Sequence, residues 1–161
     1  MKTTANRVFK STKGFTLIEL LVVIGILAIL LSIVLIAINP ARQFGQANDT
    51  KRQSAVTQIL NAVGAYAADN KGQLPVAITT TDQEIGSGTG KADLCSVLVP
   101  TYIPALPTDP VLNTPDVSVS GSPLACPASY TTGYNIVKDA AGRVTVSAPN
   151  ASVTTPITIT R

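Results

Sequence analysis

Residues 13–38 read KGFTLIELLVVIGILAILLSIVLIAI, and this stretch decides how the rest of the chain is organised. From Phe15 to Ile38 the tract is apolar apart from a few small or hydroxylated residues and one acid, Glu19. As an α-helix rising about 1.5 Å per residue, it extends roughly 36 Å, which is enough to cross a hydrocarbon core about 30 Å thick. The sequence therefore predicts a membrane-spanning helix over 15–38.

The flanks of this tract predict its orientation and its retention. Four cations and no acid precede it, namely Lys2, Arg7, Lys10 and Lys13. Cationic residues stay on the cytoplasmic side, so we expect the C-terminal part of the chain outside. A secretory signal has a shorter apolar region of about 7–15 residues and a small-residue cleavage site after it. Because no such site follows Ile38, we expect the tract to be retained.

Composition disfavours several function classes. The 161 residues include no histidine, and only 13% are charged. Ser-His-Asp and Cys-His catalysis and His-based metal sites are therefore excluded, and we expect no enzyme, no catalytic residue and no cofactor. The net charge of +3 comes from the segment before Phe15, because the remainder carries eight cations and nine acids. We therefore predict no direct nucleic-acid binding.

Glu19 does not fit a simple membrane anchor. A carboxylate near the end of a membrane helix can reach water and be tolerated there. Alternatively, it is a functional group that awaits a cation. No Lys or Arg lies between Gly14 and Arg42, so a cationic partner must be another molecule or a new terminal amine.

The run Lys13-Gly14-Phe15-Thr16-Leu17-Ile18-Glu19, followed by the apolar tract, resembles the cleavage and methylation signature of type IV prepilins. The general layout also resembles type IV pilins and the pseudopilins of type II secretion. The resemblance implies that prepilin peptidase cuts between Gly14 and Phe15 and that Phe15 is then N-methylated. It also implies that the Phe15 ammonium of one subunit neutralises Glu19 of a neighbour during assembly.

The remaining chain predicts an α+β fold in which a long N-terminal helix packs on a small antiparallel β-sheet. We divide it into a cationic leader 1–14, a membrane-spanning and filament-core helix 15–38, an extended helical stalk 39–70 and a globular head 71–161. Pro40 is expected to kink the helix. Residues 41–54 are polar nearly all round, which predicts exposure or contact with other subunits. An apolar stripe at helical spacing then follows, made of Val56, Ile59, Leu60, Val63 and Ala67.

Within the head, we predict a loop over 73–91, a short helix over 93–99 and a β-hairpin of 134–138 with 143–147. A last strand is expected over 153–160, broken by Pro156. Turn-forming roles explain Asp109, Asn113 and Asp116, which are also possible oxygen ligands for calcium, and we assign no metal site. After Pro110 the chain lacks the tryptophan, glycine and aromatic residue usual in major pseudopilins.

Cys95 and Cys126 are the two cysteines of the chain, and both fall in the part expected outside the cytoplasm. We predict a disulfide between them, with two free thiols as the alternative.

The resemblance predicts a structural subunit of a type IV pilus-like filament, held before assembly in the inner (cytoplasmic) membrane by a single pass with its N-terminus inside. The assembled filament would be extracellular or periplasmic. The implied partners are further copies of the chain, prepilin peptidase, a membrane platform protein, an assembly ATPase and, before assembly, membrane lipid. A pseudopilin of type II secretion is one alternative, and a signal-anchored membrane protein with a binding domain is another.

Overall fold

The computed structural model describes residues 14–121, 124–154 and 156–161, so the predicted leader lies outside the described residues except for Gly14. The chain divides into two compact units, Met1–Pro40 and Ala41–Arg161. Its elements are α1 (Leu17–Ile38), α2 (Pro40–Asp69), β1 (Gln83–Gly86), α3 (Cys95–Leu98), a 3-10 turn (Pro110–Leu112), β2 (Thr131–Lys138), β3 (Val144–Ala148) and β4 (Ile157–Thr160).

Helix α1 makes up most of the described part of the first unit. It is apolar on all sides, and its large side chains are exposed. Over Leu17–Ile36 it is long and apolar enough to cross a membrane, the one such helix among the described residues. The hydroxyl of Ser32 donates a hydrogen bond to the carbonyl of Ala28 at 2.8 Å, so that this polar group is satisfied within the helix.

The two helices are separated by a single residue, Asn39. Its backbone adopts the left-handed conformation (φ 40°, ψ 79°), which asparagine tolerates better than most residues. Pro40 then occupies the first position of α2, where its missing N–H would have had no helical partner. The predicted kink at Pro40 is therefore an interruption one residue earlier, with Pro40 starting the next helix.

The globular unit, Ala41–Arg161, has its core between α2 and an antiparallel sheet of strand order β1-β2-β3-β4. The predicted stripe of α2 is buried over Val56, Ile59, Leu60 and Val63. It joins the alternate inward-facing residues of the sheet in one hydrophobic cluster, including Tyr134, Ile136, Val144 and Val146. The α+β prediction is thus confirmed.

The predicted hairpin is present, and β2 pairs with β3 from Asn135 opposite Ser147 to Lys138 opposite Val144. The Asp139 carboxylate orders its turn by accepting the backbone N–H groups of Ala141 at 2.9 Å and Arg143 at 2.8 Å. The last strand begins only after Pro156. Strand β1 falls within the predicted loop 73–91, so that part of the prediction was wrong.

Cys95 and Cys126 are joined by a disulfide across 31 residues of chain. Cys95 lies in α3 and is fully buried in the core. In the described residues around Cys126, between the 3-10 turn and β2, pairing is limited to isolated bridges such as Ser120 with Ala125. The disulfide therefore fastens this irregular segment to the core.

The first prediction concerns this cross-link. Replacing both cysteines (Cys95→Ala with Cys126→Ala) should lower the free energy of unfolding by about 3–4 kcal/mol, because the unfolded chain regains the entropy of an open loop. Chemical denaturation of the full chain in detergent measures the loss. The wild-type protein under reductant is the matched control and should unfold at the same denaturant concentration as the variant. Thiol labelling of native, unreduced protein would contradict the cross-link.

Candidate functional site

The predicted scissile bond lies in a short non-helical segment just before α1. Gly14 and Phe15 are both exposed, Phe15 to 77%. A Cβ added at Gly14 would meet no atom within 4 Å. Packing against the described residues therefore does not require glycine here.

Thr16 and Glu19 cap the N-terminus of α1 reciprocally. The Thr16 hydroxyl accepts the backbone N–H of Glu19 at 3.2 Å. In return, the Glu19 carboxylate accepts the backbone N–H of Thr16 at 3.3 Å and its hydroxyl at 3.2 Å. This is a capping box, which satisfies two N–H groups that the first turn of a helix leaves without partners.

The capping box gives Glu19 a structural role that the sequence analysis missed, although the T-x-x-E spacing was a visible signal. The carboxylate oxygen Oε2 takes both of the contacts from Thr16. An ionised carboxylate offers about four acceptor positions, so capping leaves capacity for a further donor. Glu19 is also exposed, so an external cation can reach it.

A second constellation lies buried in the globular unit. The Arg52 guanidinium binds both oxygens of Asp109, through Nε at 2.8 Å and Nη2 at 3.0 Å. Its Nη1 donates to Asp49 at 2.7 Å. All three side chains are at most 3% exposed. Charges this deeply buried are tolerated because each is paired and hydrogen-bonded.

Asp49 connects this ion cluster to the C-terminal segment. Its carboxylate accepts three consecutive backbone N–H groups, from Ser152 at 3.2 Å, Val153 at 2.8 Å and Thr154 at 2.7 Å. Gly45, one turn earlier on α2, allows the close approach, because a Cβ there would lie 2.8 Å from the Val153 side chain.

These contacts set the pKa values of the cluster. Burial alone would raise the pKa of Asp49, but the N–H groups of residues 152–154 and the Arg52 guanidinium outweigh it and lower the pKa to about 2. Burial alone would raise the pKa of Asp109, but the hydrogen bonds from Arg52 and from the Val111 N–H, together with the Arg52 charge, outweigh it and lower the pKa. The pKa of Arg52 is raised, chiefly by its hydrogen bonds to Asp109.

The structure assigns turn and capping roles to the three possible calcium ligands. Asp109 accepts the N–H of Val111 at the start of the 3-10 turn, in addition to binding Arg52. Asn113 ends that turn with a positive φ of 51°. Asp116 accepts the backbone N–H of Thr108 at 3.0 Å. Within the described residues, no three His, Cys, Asp or Glu side chains are grouped to hold a metal ion.

The second prediction concerns the pH dependence of stability. Because the pKa of Asp49 is about 2 in the folded protein and 3.8 ordinarily, the unfolded chain takes up this proton first on acidification. The stabilisation is therefore complete above about pH 5 and is lost as the pH falls toward 2. Asp49→Asn should cost about 2–3 kcal/mol at pH 7 and flatten this acid decline.

Denaturation midpoints between neutral pH and pH 2 measure this slope. Asp82→Asn, at an exposed carboxylate, is the matched control and should leave the slope nearly as in the wild type. Equal slopes for Asp49→Asn and the wild type would refute the assigned role of Asp49.

Comparison with known families finds the prokaryotic N-terminal methylation motif at residues 9–35. The match covers Gly14, Phe15 and Glu19 and most of α1. No curated protein and no solved structure matches the chain. The motif is the signature of type IV pilins and pseudopilins, which confirms the resemblance seen in the sequence. The chain therefore carries the type IV pilin and pseudopilin signature, over the residues that include its predicted cleavage bond and Glu19.

Proposed function

We propose that this chain is the structural subunit of a type IV pilus-like filament. The observation that carries the proposal is α1 itself, an apolar helix that bears the methylation motif and is 0% buried over its membrane-length window. A helix that is apolar on every side is stable only when a membrane or other apolar helices surround it. Insertion of α1 in a membrane supplies the first of these surroundings. Later bundling with the α1 helices of other copies supplies the second.

The processing chemistry supports a switch between these two surroundings. Cleavage after Gly14 would create an amine at Phe15. This amine is a cation at the start of an apolar tract whose one charged side chain is the acid Glu19. Prepilin peptidase would make this cut and methylate the amine. In a bundle of α1 helices, the Phe15 amine of one copy neutralises Glu19 of the next. A copy docked out of register would leave both charges buried and unpaired, which is costly.

The proposed role is structural, since the methylation motif marks pilin-like proteins that are not enzymes. Before assembly, the leader lies in the cytoplasm, 15–38 spans the inner membrane, and the stalk 39–70 and head 71–161 lie outside. A membrane platform protein and a cytoplasmic ATPase then draw the subunits into a periplasmic or extracellular filament. The globular units form the outer shell of this filament.

A pseudopilin of type II secretion is the second candidate, because it shares the same motif and membrane helix. The segment after Asp109 favours the pilus: Val111, Leu112 and Asn113 stand where major pseudopilins have the tryptophan, glycine and aromatic residue. A permanently signal-anchored binding protein is the third candidate, and it requires an uncut leader.

The third prediction concerns processing. Protein recovered from filaments should begin at Phe15 and carry one N-methyl group, because the Gly14–Phe15 bond is exposed and lies in the methylation motif. Mass spectrometry of the N-terminal peptide measures both features. A chain that still begins at Met1 in assembled material would favour the signal-anchored alternative.

The fourth prediction separates the two roles of Glu19. Glu19→Gln keeps an acceptor for the capping box and removes the charge, whereas Thr16→Val removes the cap and keeps the charge. If charge pairing drives assembly, Glu19→Gln should be inserted and cleaved but should yield few filaments. Thr16→Val should assemble far better, since a lost cap costs only about 1 kcal/mol.

Sheared surface fractions and electron microscopy of cells with each variant as the sole copy measure the filament yield. Normal filaments from Glu19→Gln would show that Glu19 is a tolerated interfacial residue and that capping is its main task. Wild-type cells without surface filaments, but with a secretion defect when the chain is deleted, would favour the pseudopilin.

A further inference from the structure

The Tyr134 hydroxyl is buried in the globular unit without a hydrogen-bond partner. It is the one such buried side-chain oxygen or nitrogen among the residues that the structure describes. Tyr134 belongs to β2, and its side chain is fully buried. Burial, and then the negative charge of Asp109, raise the pKa of this hydroxyl, so that it keeps its proton. Buried tyrosine hydroxyls are normally hydrogen-bonded, so this one requires an explanation.

The ion cluster beside Tyr134 does not supply the partner. Asp109 and Arg52 are near enough to act on the hydroxyl electrostatically, but neither forms a hydrogen bond with it. Both oxygens of Asp109 accept the Arg52 guanidinium, and Oδ1 also accepts the N–H of Val111. The cluster is thus satisfied by its own members, and the partner of the hydroxyl is to be sought in the cleft that Tyr134 lines.

This cleft is formed by α2, by the segment 107–116 and by Tyr134. Its volume is about 260 Å³. Pockets for drug-sized ligands are about 300–1,000 Å³, so the cleft suits a smaller ligand, such as one sugar unit. Beside Tyr134, its walls are Lys51, Ser54, Ala55 and Gln58 from α2, and Pro107, Thr108, Pro110 and Asp116 from the segment.

Several polar groups in the cleft have hydrogen-bonding capacity to spare. Lys51 makes no hydrogen bond or ion pair within the part of the chain that the structure describes. Asp116 accepts the N–H and the hydroxyl of Thr108 through Oδ1, which leaves Oδ2 as an acceptor. The amide nitrogen of Gln58 donates to Ser54 Oγ at 3.1 Å, so that the Gln58 oxygen can accept and the Ser54 hydroxyl can donate.

This mixture of charges, donors and acceptors selects the class of ligand. A cation would meet the ammonium of Lys51, and an anion would meet the carboxylate of Asp116, so either would face a like charge. A neutral sugar avoids both conflicts, because its hydroxyls can accept from Lys51 and donate to Asp116. The rings of Pro107 and Pro110 offer a surface to the apolar C–H face of a sugar ring.

We propose that this cleft binds a single carbohydrate unit, with one sugar hydroxyl hydrogen-bonded to the hydroxyl of Tyr134. Lys51 and Gln58 are exposed, and exposed side chains change rotamer within nanoseconds, so they can part to admit the ligand. The site lies entirely within Ala41–Arg161. It is an activity beyond the proposed function and does not depend on filament assembly.

Titration of the full chain with sugars, followed by NMR, tests the site. The isotope-labelled chain is held in a phosphocholine detergent, which carries no sugar of its own. The methyl glycosides of glucose, galactose and N-acetylglucosamine are added separately. We expect saturable shifts of the backbone amide signals of β2 and of residues 51–58 with at least one of these glycosides.

Two conservative variants assign the binding to the buried hydroxyl. Tyr134→Phe keeps the ring and removes the hydroxyl, and it should weaken binding about five- to tenfold, as expected for the loss of one hydrogen bond. Tyr66→Phe is the matched control. It makes the same change in a ring that packs on Tyr102 and does not line the cleft, so it should bind like the wild type.

Denaturation of the same samples without sugar provides a second, independent measurement. Because the hydroxyl has no partner in the described fold, Tyr134→Phe should unfold at the same or a higher denaturant concentration than the wild type. A clearly lower concentration would mean that the hydroxyl is already satisfied within the protein, and it would overturn the proposal.

The binding measurements can also overturn it. One such result is the absence of saturable shifts with all three glycosides, and another is equal binding by the wild type and Tyr134→Phe. Acetate and methylammonium serve as charged probes of similar small size. Saturable shifts of the same signals with either of these, and not with the glycosides, would assign the cleft to a charged ligand instead.

Discussion

The apolar surface of α1 is the constraint on which the rest of the molecule depends. A fully buried aliphatic side chain gains about 1.5–3 kcal/mol relative to water, so covering this 22-residue helix is worth on the order of 20–40 kcal/mol. That exceeds the 5–15 kcal/mol by which a domain of ordinary size is stable. What surrounds α1 therefore determines where the chain is located, and the globular unit is held wherever α1 is held.

Glu19 illustrates how one side chain can serve both surroundings. The N-terminus of a helix carries a partial positive charge, which favours a carboxylate in its first turn. In lipid, the capping box with Thr16 keeps the backbone N–H groups of that turn satisfied. In the proposed filament, the same carboxylate would have acceptor capacity for the ammonium of a neighbouring copy. The acid is therefore compatible with an apolar tract only because it lies at this end of the helix.

The sequence alone predicted the elements whose signal is an apolar composition or a strict alternation of apolar and polar residues. The solid apolar tract predicted α1, and alternating residues around Asp139–Gly142 predicted the β2–β3 hairpin. It was insufficient for β1, whose four residues include only one aliphatic side chain, Ile85, and which is held by pairing with β2. That pairing joins residues some fifty positions apart in the chain, which no local pattern records.

The ion cluster was missed for a related reason. Asp49 and Arg52 were interpreted as part of a polar, exposed helix, because isolated charges are rarely buried. Their burial depends on Asp109 and on the backbone N–H groups of residues 152–154, which only the folded chain brings to them. Gly45, Asp49 and Arg52, spaced by four and three residues, were the one local hint of a common helix face.

The ion cluster lies where α2 begins to be buried against the rest of the globular unit. A buried ion pair adds little net stability compared with apolar packing, but a slipped arrangement leaves its charges unmatched. The cluster therefore fixes the register of the C-terminal segment on α2. From Gly45 onward, one side of the helix is committed to that segment, whereas residues 41–44 are exposed on every side. The chain thus keeps a short exposed helical segment, 41–44, immediately before the part of α2 that is packed in the globular core.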